Sequence, residues 1–219
     1  MNPLANAGQR LVTIVDLGIQ NILSVENAFR VIGASVQTAK TAEAIQNAHF
    51  LVLPGVGAFG TAQARLEETG LAEAIKKHAT EKRLPLLGLC LGMQLLADSS
   101  DEFGHHLGLG LIPGKVVRLQ DQSPEFRVPN IGWRAVIPTG QSVILPVEPS
   151  RRPVTSYYHV HSFHFQCEES KDVAGISNFG RQTIASAVHR ANIFGTQFHP
   201  EKSQDAGLDL LHAVLHGLN

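Results

Sequence analysis

The sequence predicts an α/β fold with a doubly wound, mostly parallel central sheet, helices on both faces and added antiparallel strands in its second half. The first half alternates short, unbroken Leu, Ile and Val runs with segments of helical periodicity, the pattern of parallel strands covered on both faces. After about residue 110 the β-rich runs are short and separated by Gly, Pro, Asn and Ser, as in antiparallel sheets. A chain of 219 residues is long enough for one large domain with a two-sided core.

The first half contains four predicted strands, each followed by a predicted helix. The strands are 11–17, 34–39, 49–55 and 84–90. The helices are 21–33, 41–48, 61–82 with a break near Gly70, and 91–100. In the first helix the apolar residues recur at helical spacing and stop at Gly33.

The second half is predicted as six β-rich segments and a closing helix. The segments are 115–119, 134–138, 156–168, 173–179, 183–189 and 193–200, and the helix is 205–219, with leucines on one face. We expect residues 1–10 to be a flexible tail and residues 11–219 to be a single domain.

Composition and charge argue against several classes of function. The chain has 18 Lys and Arg residues and 19 Asp and Glu residues, which disfavours electrostatic binding to nucleic acid or to anionic membranes. No stretch approaches the roughly 20 apolar residues of a membrane span, so we expect a soluble, cytoplasmic protein. The turn after the first predicted strand lacks GxGxxG, and the glycine-rich loop 52–60 lacks the Gly-Lys-Ser/Thr of a P-loop, which argues against nucleotide binding. We expect no cofactor and no metal, since His159 and His161 lack a third ligand at a recognisable spacing.

Cys90 lies in GLCLGMQ (88–94), where a predicted strand changes directly into a predicted helix. Gly88 and Gly92 flank it at i−2 and i+2, the spacing of a nucleophile elbow with cysteine in place of serine. Such a turn holds the side chain at the carboxyl edge of the sheet, beside a helix N-terminus that favours the thiolate. Cys90 is a candidate nucleophile, although a small core residue also fits this heptapeptide. Cys167 lacks the flanking glycines and is expected to be a buried structural thiol.

A base and a glycine-rich loop complete the predicted site. In FGTQFHPEKS (194–203) His199 ends an apolar strand, and the proline after it favours extended backbone. Glu201 can then lie on the same side as the imidazole and orient it. VLPGVGAFG (52–60) follows a strand, and its backbone N–H groups can stabilise charge on a carbonyl oxygen. Cys90, His199 and Glu201 are therefore predicted to form a catalytic triad.

Three motifs in this order, PGVGAFG (54–60), GLCLGMQ (88–94) and FHPEKS (198–203), resemble the class I glutamine amidotransferases of the triad type. The resemblance extends from about residue 11 to the C-terminus. VDLGIQNILSVENAF (15–29) and VPNIGW (128–133) are similar to the glutaminase subunits of imidazole glycerol phosphate synthase within that family. The resemblance implies hydrolysis of glutamine to glutamate and ammonia for histidine biosynthesis. It also implies a heterodimer with a (β/α)8-barrel cyclase subunit that receives the ammonia.

The resemblance assigns a role to each matched residue. It implies that Cys90 attacks the side-chain amide of glutamine, that His199 delivers the proton to the leaving ammonia, and that water opens the thioester. The residues that it places at the oxyanion site or against glutamine are Gly55, Val56, Gly57, Leu91, Gln94, His161, Ser162 and Phe163. Asn130, Trp133 and Arg134 are placed near the partner, and Trp133 is expected to lie in a loop flanked by Pro and Gly.

Three segments depart from the family pattern and keep other partners open. PNIGWR (129–134) stands where the family usually has Pro-His-x-Gly-Trp-Asn. DLGIQN (16–21) and HSFH (161–164) replace Asp-Tyr-Gly-x-Gly-Asn and His-Ser-Tyr-Tyr. A related subunit that supplies ammonia to another synthase, such as one that aminates a sugar nucleotide for surface polysaccharide, is therefore an alternative. A γ-glutamyl hydrolase or a cysteine peptidase of the same fold would share the elbow and the base, whereas the intact triad speaks against a non-catalytic subunit.

Overall fold

The structure is a computed structural model that describes residues 10–18, 22–120, 123–140, 144–145 and 155–217. The predicted tail, residues 1–10, lies outside the described residues except for Arg10. The helices are α1 (Leu23–Val31), α2 (Ala42–Gln46), α3 (Phe59–Glu68), α4 (Leu71–Thr80), α5 (Leu91–Gln94) and α6 (Gln204–His216). Single 3₁₀ turns lie at Ser170–Asp172 and Pro200–Lys202.

The strands are β1 (Leu11–Val15), β2 (Ser35–Ala39), β3 (Phe50–Gly55), β4 (Leu86–Cys90), β5 (Ser99–Ser100), β6 (His106–Leu107), β7 (Gly114–Arg118), β8 (Asn130–Pro138), β9 (Thr155–His161), β10 (Phe163–Cys167), β11 (Val173–Phe179), β12 (Gln182–Arg190) and β13 (Ile193–Thr196). All ten predicted strand segments contain strands, and two short strands, β5 and β6, were not predicted.

Within the described residues, nine of these strands form one sheet in the order β2-β1-β3-β4-β13-β12-β11-β8-β9. The neighbours from β2 to β13 are parallel, and the remaining neighbours are antiparallel. The parallel half has the order of a doubly wound fold, in which ligands bind at the carboxyl ends of the strands. The other four strands form a smaller sheet in the order β10-β7-β5-β6. This is the predicted α/β architecture.

Helices cover the central sheet on both faces. Ile14 of β1 belongs to a buried cluster with Phe29 of α1 and Leu211 of α6, whereas Val15 belongs to a second cluster with Leu66 of α3. Successive side chains of a strand point to opposite faces, so strands with a core on each face need apolar residues at nearly every position. Among the described residues no helix is long and apolar enough to cross a membrane.

The predicted helix 91–100 is wrong in length, because α5 ends at Gln94. The backbone carbonyl groups of Leu95, Leu96 and Ala97 accept hydrogen bonds from the backbone N–H groups of residues 109–111. These long-range bonds replace the i to i+4 bonds that would have continued the helix. The chain then enters β5 at Ser99.

The segment around Trp133, predicted as a loop, is instead part of strand β8. It pairs antiparallel with β9, and the register places Asn130 opposite His161 and Trp133 opposite Tyr158. Proline and glycine flank this segment and suggest a turn, but a partner strand distant in sequence supplies the ladder. The predicted run 156–168 divides at Ser162, which separates β9 from β10.

Candidate active site

Cys90 ends β4, and Leu91 begins α5 with no residue between them. The backbone of Cys90 has φ +53° and ψ −108°, which is a strained conformation for a residue with a side chain. A Cβ at Gly88 would lie 2.6 Å from the carbonyl oxygen of Gly92, and a Cβ at Gly92 would overlap the carbonyl oxygen of Leu53. The two glycines therefore allow a tight strand-to-helix reversal, as the elbow motif predicts.

His199 and Glu201 form a buried pair. Nδ1 of His199 donates to Oε1 of Glu201 at 2.8 Å, and the two side chains are 4% and 5% exposed. Nε2 of His199 is buried and makes no conventional hydrogen bond within the described part of the chain. Burial acts to lower the pKa of His199, but its interactions with Cys90 and Glu201 outweigh burial and raise the pKa above its ordinary value. Such an imidazole is suited to hold a proton taken from the thiol.

A short 3₁₀ helix, rather than the predicted extended segment, brings the carboxylate to the imidazole. His199 has extended backbone, and Pro200–Lys202 forms the 3₁₀ turn that contains Glu201. The backbone N–H of His199 donates to the carbonyl oxygen of Tyr158 at 2.9 Å. The Ser203 hydroxyl donates to the carbonyl oxygen of His199 at 2.6 Å. These bonds fix the backbone of His199 to β9 and to the start of α6.

Cys90 and His199 line one cleft of about 330 Å³, a size suited to a small-molecule ligand. Its other lining residues are Val56, Gly57, Leu91, Gln94, Glu102, Pro129, Val160, His161, Ser162 and Phe163. Each predicted oxyanion or substrate residue except Gly55 is in this group. Gly55 pairs with Cys90 in the sheet, and a Cβ at this position would lie 2.7 Å from Cβ of Leu91.

Gln94 presents an acceptor to the cleft. Its Nε2 donates to the carbonyl oxygen of Phe163 at 2.8 Å and to Oε1 of Gln197 at 3.0 Å. Because an amide nitrogen has two hydrogens, both are used within the protein. The group that Gln94 leaves for a ligand is therefore its Oε1.

Comparison with known proteins gives the family. A sequence model described as "Glutamine amidotransferase class-I" matches residues 13–214. The chain belongs to the class I glutamine amidotransferase family. Its relatives include "Imidazole glycerol phosphate synthase subunit HisH 2" of Nitrobacter winogradskyi, which is 41% identical over 93% of this chain and 97% of the relative. "Imidazole glycerol phosphate synthase hisHF, chloroplastic" of Arabidopsis thaliana is 42% identical over 97% of this chain and 35% of the relative.

Solved structures agree on the fold of this amidotransferase. A structure titled "Crystal structure of glutamine amidotransferase" superposes with a TM-score of 0.72 at 19% identity, and covers 94% of this chain and 99% of the other. At this level of identity the likeness concerns the fold alone. It confirms the predicted fold class.

His161 of this amidotransferase is a neutral residue in a hydrogen-bonded chain. Its Nδ1 lies 2.9 Å from the carbonyl oxygen of Phe163, and its Nε2 lies 2.9 Å from Nδ2 of Asn130. A carbonyl oxygen can only accept, so Nδ1 carries the proton and Nε2 accepts from the amide. Burial, and then the neighbouring His159, lower the pKa of His161 to about 3. His161 therefore shapes the cleft without bringing a positive charge to it.

The three residues predicted near a partner lie in different environments. Asn130 is only 1% exposed, because its side chain lies between Nε2 of His161 and Nε of Arg134, which donates to Oδ1 of Asn130 at 2.9 Å. In the chain by itself Asn130 is therefore an interior link, and its predicted position near a partner stays a prediction. Trp133 is 45% exposed, and Arg134 is partly exposed.

Two side chains of the amidotransferase site were missed in the sequence. Glu102 lines the cleft, and its Oε2 accepts the backbone N–H of Phe59 at 2.6 Å. Gln197 is completely buried and contacts both Gln94 and Cys90. Glu102 is one of 19 acidic residues and has no motif around it, whereas Gln197 lies only two residues before His199 in a motif that was already noted.

The described residues contain no group of three His, Cys, Asp or Glu side chains arranged to hold a metal ion. Cys90 and Cys167 are both free thiols, and Cys167, which was predicted to be buried, is only partly buried. Burial, and then the charge of Asp172, raise the pKa of Cys167 to about 12. Cys167 is therefore protonated and unreactive at neutral pH.

Proposed function

We propose that this chain is the glutaminase subunit of an imidazole glycerol phosphate synthase. It hydrolyses glutamine to glutamate and ammonia, and the ammonia passes to a (β/α)8-barrel cyclase subunit. The observation that carries the chemistry is the strained Cys90 elbow in one cleft with the His199–Glu201 pair. The HisH relatives, which align with nearly the whole chain, support the assignment to histidine biosynthesis.

The triad accounts for each proton in the reaction. The Cys90 sulfur forms a bond with the side-chain carbonyl carbon of glutamine, while the thiol proton resides on Nε2 of His199. When the C–N bond breaks, His199 gives that proton to the leaving nitrogen. Ammonia departs, and the γ-glutamyl group remains on Cys90 as a thioester. His199 then takes a proton from water, whose oxygen displaces the sulfur to release glutamate, and the proton returns from His199 to the Cys90 sulfur. Glu201 stabilises the imidazolium through the 2.8 Å bond to Nδ1.

The negative charge that develops on the side-chain carbonyl oxygen of glutamine is stabilised by backbone N–H donors. We assign this role to the N–H of Leu91, which follows the nucleophile, and to the loop of Gly55, Val56 and Gly57. Gly57 has φ +96°, a conformation that favours glycine. One oxyanion donor contributes on the order of 3 kcal/mol to such a transition state.

The cleft offers complementary groups for an amino acid. The α-ammonium group of glutamine needs acceptors, which Oε1 of Gln94 and the Glu102 carboxylate supply. One oxygen of Glu102 is already held by the backbone N–H of Phe59, so the carboxylate is fixed before the ligand arrives. The α-carboxylate needs donors, and the Ser162 hydroxyl lies in the same cleft.

Exposed apolar side chains next to the cleft fit a partner that covers it. Val56, Ile131 and Trp133 are 40%, 52% and 45% exposed. Val56 lines the cleft, and Ile131 pairs with Val160, another lining residue. A dry, covered path keeps ammonia unprotonated and therefore nucleophilic. We place the complex in the cytoplasm, because a catalytic thiol and a second free cysteine suit a reducing compartment.

The test is to reconstitute the chain with the cyclase subunit of the same genome. The assay compares product formation with glutamine and with ammonium as the nitrogen source. We expect C90A to abolish the reaction with glutamine and to leave the reaction with ammonium intact, whereas C167A retains both. Hydrolysis of γ-glutamyl peptides in preference to glutamine would support the γ-glutamyl hydrolase alternative. Activation by a different synthase, with no response to the cyclase, would support the alternative partner.

A further inference from the structure

The side chain of Gln197 reaches the nucleophile from inside the protein. Gln197 is 0% exposed, and its backbone N–H donates to the carbonyl oxygen of Ser186 at 2.9 Å. Its Oε1 accepts from Gln94 at 3.0 Å, and its Nε2 lies 3.8 Å from Sγ of Cys90. None of the roles described above uses this residue.

The orientation of this amide follows from its neighbours. The carbonyl oxygen of Phe163 can only accept, so the Gln94 atom that lies 2.8 Å from it is the nitrogen. That nitrogen can only donate, so the Gln197 atom 3.0 Å away is the oxygen. The amide N–H of Gln197 therefore points toward the sulfur, and a flipped amide would place two donors against each other.

We propose that Gln197 is a catalytic residue that donates an N–H to the Cys90 sulfur and so favours the thiolate. The inference rests on the proposed role of Cys90 as nucleophile. The sequence suggested that a helix N-terminus would favour the thiolate, but α5 has only four residues, so few peptide dipoles are aligned there. The carbonyl oxygen of Val160, 3.9 Å from Sγ, can only accept a hydrogen bond and favours the protonated thiol. The Gln197 N–H can only donate, so it favours the thiolate.

The same amide connects the nucleophile to the substrate. By accepting from Gln94, Gln197 keeps Oε1 of Gln94 directed at the ligand, while its own N–H holds the sulfur. The titratable groups around the sulfur are His199 with Glu201 behind it, and Glu102 and His161 in the lining of the cleft. A substitution at position 197 leaves all four of these groups in the chain.

The experiment measures the pH dependence of Cys90 alkylation by iodoacetamide, followed by mass spectrometry of the Cys90 peptide. It compares the wild type with Q197L and Q197M, which keep the bulk but lose the donor. We expect the midpoint of the profile to rise by about one pH unit, with alkylation about tenfold slower below both midpoints and unchanged at high pH. The Cys167 peptide is the internal reference for a thiol that stays protonated.

The matched control is T196V, a substitution of the neighbouring buried residue, whose hydroxyl donates to the carbonyl oxygen of Phe198 at 3.0 Å. T196V removes a buried hydrogen bond without touching the sulfur, so we expect a lower melting temperature and an unchanged alkylation profile. If both position-197 variants fold and their midpoints match the wild type, the assignment is overturned. If the alkylation profile shifts but the wild-type complex does not turn over glutamine, the proposed function is rejected and the hydrogen bond from Gln197 to the Cys90 sulfur is supported.

If neither variant folds, the side-chain ¹⁵N–¹H signals of Gln197 in the wild type carry the test. We expect them to titrate with the same midpoint as Cys90 alkylation and to move in C90A. Signals that stay constant across the titration and in C90A would overturn the assignment.

Discussion

His164 is a buried histidine on β10 whose ring has one hydrogen-bond partner among the described residues. His164 is 3% exposed, its Nε2 lies 2.9 Å from Nε2 of Gln182, and its Nδ1 has no partner there. Burial lowers the pKa of His164 to about 4, although the Phe165 backbone acts in the opposite direction. We predict that H164L makes the chain more resistant to acid.

The magnitude follows from the protons that each state binds. Between the ordinary pKa of 6.5 and the folded value of about 4, the unfolded chain binds a proton that the folded ring does not. The free energy of unfolding therefore falls as the pH drops through this window and is unaffected above it. One pKa unit corresponds to about 1.4 kcal/mol, so His164 accounts for a loss of about 2 kcal/mol at pH 5.

Two further histidines add to the same effect. Burial is the main cause that lowers the pKa of His159 to about 4 and that of His161 to about 3. With similar contributions, the three rings together lower the free energy of unfolding by about 6 kcal/mol between pH 7.5 and pH 5. The raised pKa of His199 offsets part of this loss, because folded His199 binds its proton before the unfolded chain does. A typical domain has only about 5–15 kcal/mol of stability, so the wild type is expected to be clearly less stable at pH 5 than at pH 7.5.

The assay is urea unfolding at pH 7.5 and pH 5, followed by far-UV circular dichroism and by the fluorescence of Trp133, the single tryptophan of the chain. H164L should lose about 2 kcal/mol less than the wild type between the two pH values. H105L is the matched control, because the His105 side chain is 68% exposed and folding leaves it in water. Equal losses in the wild type and H164L would refute the reasoning.

Three further predictions concern the site. Iodoacetamide should label Cys90 in preference to Cys167, and glutamine should protect it; equal labelling without protection would count against Cys90 as nucleophile. E102Q should raise KM for glutamine by about tenfold or more with a smaller change in kcat, since a hydrogen bond to a charged group is worth about 1.5–3 kcal/mol. An unchanged KM would show that Glu102 does not bind the α-ammonium group of glutamine. G92A should destabilise the chain by about 3 kcal/mol, since the new Cβ would overlap the carbonyl oxygen of Leu53. Urea unfolding at pH 7.5 measures this loss. A midpoint equal to that of the wild type would contradict the tight strand-to-helix reversal at Cys90.

Elements with a strong local pattern were predicted closely. Strand β4 begins two residues after the predicted start at residue 84 and ends at the predicted Cys90, and the predicted break near Gly70 separates α3 from α4. Helix α5 was predicted too long, because residues 109–111, distant in sequence, take the carbonyl groups that the helix needed. Strand β8 was missed in part because its ladder comes from β9, which no local pattern around Trp133 reveals.

In the site, too, the features set by local sequence were predicted and those set by contacts distant in sequence were missed. The order of the motifs indicated the family, which the comparisons confirm, and a single residue separates His199 from Glu201, so their pairing is a local matter. Glu102 had no motif around it, and the motif that contains Gln197 gave no sign that its side chain reaches Cys90. Gln197 meets Cys90 across 107 positions of the chain, and Glu102 is attached to Phe59 across 43.

The order of the residues by itself determined where the apolar segments lie, which glycines surround the nucleophile, and which family the chain joins, because each of these depends on neighbours along the backbone. Tertiary packing alone decided which way the amides of Gln94 and Gln197 point and that the histidines of β9 and β10 are uncharged. Those properties depend on obligatory acceptors and on exclusion of water, and both arise only when strands distant in sequence come together.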